Sequence, residues 1–100
     1  MLKILFVNPE VRIDSKPWHF PFWAGILAAI AEKKGAQVGI YDLNAEKMNH
    51  DHGYIPLKTI KDEISSDKWD MVCVGGLTTT YSRMKQLIPL IRNCLPDAII

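Results

Sequence analysis

Long apolar runs are missing from this chain. None approaches the ~20 residues that a helical membrane span requires. The apolar start, Met1 to Val7, is too short for a signal peptide, and no small-residue cleavage site follows it. A cytoplasmic location with no membrane contact is therefore expected. Cysteine is scarce: Cys73 and Cys94 stand far apart and fit no zinc or redox spacing, so both are read as buried free thiols. A dominant charge sign is also absent, with 12 Lys and Arg against 11 Asp and Glu and a net charge of +1. The basic residues are scattered, which argues against a nucleic-acid face. No internal repeat or low-complexity tract occurs. The dinucleotide fingerprint G-x-G-x-x-G is missing, because Asn8-Pro9-Glu10-Val11 follows the first apolar run, and there is no P-loop. A phosphoacceptor pocket would need an acidic cluster there and an Asp ending the third strand, which instead ends Val74-Gly75-Gly76.

What is present is an alternation of strand and helix signals. One hundred residues allow one domain. Ile4-Leu5-Phe6-Val7 suits a strand buried on both faces, stopped by Asn8-Pro9. After an aromatic and proline-rich loop, Trp23, Ile26, Leu27 and Ile30 recur at helical spacing and predict a core-facing stripe. Lys33 and Lys34 fit its last turn and Gly35 its C′ position. Strands are expected near 3–7, 37–42, 70–75 and 97–100, and helices near 22–34, 57–65 and 81–94. The segment from Leu43 to Pro56 reads as a polar excursion on the ligand-facing side. In the last helix Met84, Leu87, Ile88, Ile91, Cys94 and Leu95 form one stripe, closed by Pro96. The order β-α-β-α-β-α-β predicts an α/β fold, a Rossmann-like (flavodoxin-like) doubly wound parallel sheet, incomplete at its C-terminal side. Such sheets have about five or six strands, so a truncated piece of a longer protein is expected. An under-supported last strand would favour self-association through the sheet edge.

The candidate site follows from position. In open α/β sheets ligands sit outside the carboxyl ends of the strands. Asn8 and Pro9 end the first strand, Asp42 ends the second, and Gly75, Gly76, Leu77, Thr78, Thr79, Thr80 and Tyr81 lead from the third strand into a helix. Glycine lets a ligand approach the main chain, and hydroxyls and a helix N-terminus donate hydrogen bonds. Structural roles compete at each position. Thr79 or Thr80 suits a helix cap, Asn8-Pro9 a strand stop and Asp42 a turn cap. The aromatics Trp18, Phe20, Phe22 and Trp23 suit packing as well as a ligand wall. His19 is read as packed with a solvated tip, and His50 and His52 as solvated.

Three groups of segments carry a resemblance. Leu5-Phe6-Val7-Asn8-Pro9 is followed by Pro21-Phe22-Trp23-Ala24-Gly25-Ile26-Leu27-Ala28-Ala29. Next comes Gly35-Ala36-Gln37-Val38, with Asp42 closing the strand. Last come Trp69-Asp70-Met71-Val72-Cys73-Val74-Gly75-Gly76-Leu77-Thr78 and Leu95-Pro96-Asp97-Ala98-Ile99-Ile100. In this order and spacing, over nearly the whole chain, the sequence resembles the N-terminal cobalamin-binding domain of cobalamin-dependent radical SAM enzymes. The resemblance implies a bound corrinoid whose nucleotide tail lies against the Gly75–Thr80 loop. It also implies a downstream partner domain with a [4Fe-4S] cluster and S-adenosylmethionine, and an overall methyl transfer or radical rearrangement. The D-x-H-x-x-G motif of the related His-ligand type is absent, since residues 8–16 read NPEVRIDSK. A bound cobalamin is therefore expected to lack a His ligand from this chain, and no metal ligand or catalytic residue is expected from it. Two rival readings stand beside this one: a Rossmann-like half of a nucleotide-sugar or other small-molecule transferase, and a ligand-free structural domain.

Overall fold

A computed structural model describes residues 1–11, 21–50, 53–76 and 78–100, with the side chain of Thr78 left aside. Expectations placed on Trp18, His19, Phe20, His52, Leu77 and the Thr78 side chain lie outside the described residues. Three parallel strands, β1 (Lys3–Asn8), β2 (Gln37–Asp42) and β3 (Met71–Val74), form one sheet in the order β2-β1-β3. Among the described residues four α-helices accompany them: α1 (Phe22–Lys33), the single-turn α2 (Leu43–Glu46), α3 (Leu57–Ser65) and, after β3, α4 (Tyr81–Cys94). The architecture is α/β. Among the described residues no helix is long and apolar enough to cross a membrane.

Strand alternation sorts the core into two halves. Ile4 and Phe6 face α1 and pack on Ala24 and Ala28. Leu5 and Val7 face the other way, onto Val72, Leu43, Ile60 and Ile64 of α3, and Leu87 and Ile91 of α4. Both sheet faces are thus covered, which is why β1 is apolar throughout. The register pairs Asn8 with Asp42 and Val7 with Val74, so all three strands end at one edge.

The structure corrects four expectations. First, Ile26, Leu27 and Ile30 are 60%, 47% and 51% exposed, and the small residues Ala24 and Ala28 face the sheet instead. Helix α1 is apolar at every position up to Ala31, so periodicity carries no information about which side turns inward, and the small side lets the helix approach the strands. Second, residues 97–100 form no strand: Ile99 makes a single parallel bridge to Met71, with Val72 N–H donating to Ile99 O (2.8 Å) and Ile99 N–H to Asp70 O (3.0 Å). Third, the excursion after β2 is not a purely polar loop. It contains α2 and a 3-10 turn (Lys47–His50), and Leu43, Asn44 and Lys47 are buried. Fourth, Cys73 and Cys94 are free but only half-buried. On α4 the predicted stripe holds at Leu87 and Ile91, whereas Ile88 is exposed.

Gly35, at φ 95°, adopts the left-handed conformation expected of the residue after the α1 C-cap Lys34. At the far end of the chain Arg92 Nη1 donates to Pro96 O and Ala98 O (2.8 Å each), holding the turn that returns residues 98 and 99 to β3.

Candidate functional site at the carboxyl edge of the sheet

The strand ends bring Asn8, Pro9, Asp42, Gly75 and Gly76 to one edge. Asn8 is buried on the α1 side of β1, directly opposite Asp42 in the ladder. Its Nδ2 donates to Asp42 Oδ1 (3.0 Å), and Trp23 Nε1 donates to Asn8 Oδ1 (3.2 Å). Asp42 Oδ1 also accepts from Ala45 N–H (3.2 Å), capping α2. The competing structural roles of Asn8 and Asp42 are therefore realised: each side chain is engaged inside the protein.

The glycines are packed by aromatic and hydroxyl neighbours. The Trp23 indole lies over Gly75, where a Cβ would come within 2.9 Å of the ring. The same indole meets Phe6 edge-on, with ring centroids 6.3 Å apart. The Gly75 N–H donates to Val7 O (3.4 Å), extending the ladder by one residue. A Cβ on Gly76 would collide with the Thr80 hydroxyl and would lie 3.6 Å from Pro9 Cδ, so a side chain here would fill the space between the ends of β1 and β3. Thr78–Thr80 form a 3-10 turn leading into α4. Thr80, the residue before α4, is buried and makes no side-chain cap bond; its Oγ1 is 3.7 Å from Met84 Sδ. Gly76, Thr79 and Tyr81 are exposed at this edge. Tyr81 also carries the Lys85 ammonium over its ring, 5.6 Å from the centroid. Of the described predicted residues, Gly76, Thr79 and Tyr81 are exposed, Asn8, Pro9 and Thr80 are buried, and Gly75 and Asp42 are half-buried.

Directly beneath lies a buried ionic network that sequence reasoning missed. Arg83 Nε donates to Glu10 Oε1 (3.0 Å) and Nη2 to Glu10 Oε2 (2.9 Å), a two-pronged pair with both side chains almost wholly buried. Nη2 also donates to Ile55 O (2.6 Å), and Ile55 N–H donates back to Glu10 Oε2 (2.9 Å). Arg83 Nη1 reaches Gln86 Oε1 (2.9 Å), and the guanidinium lies 4.9 Å from the Tyr54 ring centroid. One residue on from Glu10, Val11 N–H donates to Asn44 Oδ1 (3.0 Å). Lys47 is buried nearby. Burial pushes its ammonium below the usual value, opposed by the Glu10 and Asp42 carboxylates. A signal for Arg83 was available: it stands four and eight residues before Leu87 and Ile91, on the buried stripe of α4. For Glu10, brought across 73 residues, no local signal exists.

Among the described residues no group of three or more His, Cys, Asp and Glu side chains is arranged to hold a metal ion. A groove of about 570 Å³ opens elsewhere, on the outer side of β3, lined by Val74, Ile88, Pro89, Arg92 and Ile100. It includes none of the predicted site residues. Compared with protein-family models, curated proteins and solved structures, the chain matches none.

Proposed function

We propose that the chain is a ligand-holding module of Rossmann-like, flavodoxin-like type whose ligand is a corrinoid, working with a radical SAM domain that supplies a [4Fe-4S] cluster and S-adenosylmethionine. The observation that carries the reading is the strand order β2-β1-β3. The order reverses between β1 and β3, and in open α/β sheets the crevice at such a reversal takes the ligand. Here that crevice is bordered by Asn8-Pro9 and Gly75-Gly76.

The fit of the residues is uneven and instructive. Gly76 exposes backbone, Thr79 a hydroxyl and Tyr81 a ring. These three suit the amides, phosphate and flat apolar surface of a corrinoid with its nucleotide tail. Asn8, Asp42 and Trp23 are spent on one another, so their part is to hold the β1 and β2 ends in place. When bound, the corrinoid would supply the methyl-transfer or radical chemistry. The chain's own residues bind and orient it and offer no acid, base or nucleophile.

Titration with hydroxocobalamin, followed by its visible absorption, tests the reading. The expected outcome is a saturable spectral change, weakened several-fold by Thr79→Val or Tyr81→Ala. The bound spectrum should be unchanged by His50→Ala. A chain that is folded by circular dichroism and leaves the cofactor spectrum unaltered at high concentration overturns the proposal. That result would favour a second reading, a ligand-free structural domain. Its supporting observation is the hydrogen bonding of Asn8 to both Asp42 and Trp23 together with the burial of Thr80.

A further inference from the structure

We propose that Glu10 and Arg83 form a positioning latch that holds the three loops of the carboxyl edge in one arrangement. Glu10 belongs to the segment after β1, Ile55 to the segment before α3, and Arg83 to the first turn of α4. A single carboxylate connects all three, because its two oxygens accept from Arg83 Nε, Arg83 Nη2 and Ile55 N–H. The guanidinium closes the ring by donating to Ile55 O. Both charges are paired and hydrogen-bonded, which offsets the cost of burying them.

The planar fork of Arg meets this carboxylate edge-on, through Nε and Nη2 together, which restricts their relative orientation. It therefore fixes the angle at which α4 starts, as well as the distance between α4 and β1. Gly76, Thr79 and Tyr81 lie between these two anchors, within seven residues of Arg83. The Asn44–Val11 bond ties α2 to the same segment from the other side. An apolar pair of equal volume would fill the space without specifying these angles. Glu10 and Arg83 are buried and act through the loops, as positioning residues. The latch takes from the proposed function only that this edge is the ligand side.

Hydrogen exchange read by mass spectrometry separates a latch from a general contribution to stability. The comparison is wild type, Glu10→Gln, Arg83→Lys and Lys3→Met, the last removing the Lys3–Asp67 pair at the opposite end of the sheet. In Glu10→Gln, exchange at Ile55 and across residues 76–83 is expected to rise at least ten-fold while residues 28–38 keep their wild-type rates. Arg83→Lys, which keeps the charge and loses the fork, is expected to show the same pattern more weakly and serves if Glu10→Gln does not fold. Lys3→Met leaves residues 76–83 unchanged. A uniform rise over the whole chain, or no rise at the three loops, overturns the latch. A second arm measures hydroxocobalamin affinity at a temperature where every variant is folded, with about ten-fold weakening expected for Glu10→Gln. Binding by wild type with equal affinity in Glu10→Gln overturns the latch. Absence of binding by wild type counts against the corrinoid and leaves the exchange pattern to decide the latch.

Discussion

At the residue scale, Gly76 shows how a position can be chosen for a sound reason and serve a different purpose. Two glycines at a strand end invite a ligand to approach the backbone, and Gly76 is indeed exposed. Its missing side chain nevertheless makes room for the Thr80 hydroxyl, which the chain itself places there. Gly76→Ala is therefore expected to destabilise the fold by about 1–3 kcal/mol, the usual range for overpacking. In the background of Thr80→Ala the same change should cost less, by about 1 kcal/mol, because the two sites share one contact. Urea unfolding of the four proteins of this cycle measures the coupling, and strict additivity would refute the contact. Asn8 and Asp42 were legible as strand-end polar residues, but their mutual bond needs the β1–β2 register, which no local pattern states.

Among the elements, α1 carries the clearest lesson. Its existence and limits follow from composition, from Pro21 ahead of it and from Gly35 behind. Its orientation does not, because a helix that is apolar on all sides has no preferred face of its own. The decision falls to packing: Ala24 and Ala28 allow close approach to Ile4 and Phe6, Trp23 packs beside them, and Ile26, Leu27 and Ile30 turn away. Ile26→Lys should thus change stability by no more than about 0.5 kcal/mol. Ala28→Leu should cost about 1–3 kcal/mol by forcing the helix off the sheet. The reverse ranking in thermal or urea unfolding would place the helix the other way round. Helix α3 was easier to orient, since Ile60 and Ile64 stand among polar neighbours.

For the whole molecule, the balance of buried polar groups sets how stability responds to pH. Burial, followed by the carboxylates of Glu63, Glu46 and Glu10, pushes the Tyr41 phenol up to about 12. A group raised in the folded state contributes fully below its ordinary value of 10.0 and loses that contribution as pH climbs toward about 12. Lys47 acts in the opposite sense, because a value lowered in the folded state removes a penalty as pH rises toward the ordinary value of 10.5. Tyr41→Phe isolates the first effect: its urea midpoint is expected to fall less than that of wild type between pH 10 and 12. Parallel curves would sink this assignment. Taken alone, the sequence determined the α/β alternation, the strands β1 to β3, the limits of α1, α3 and α4, and the polar loops at one edge. These rest on periodicity, glycine and proline, which act over a few residues. Only the tertiary structure decided which face of α1 is buried, that residues 97–100 make one bridge, that Asn8 and Asp42 satisfy each other, and that Glu10 meets Arg83. Those outcomes depend on strand register and on contacts between segments far apart in the chain, where competing packings differ by volume and hydrogen-bond satisfaction.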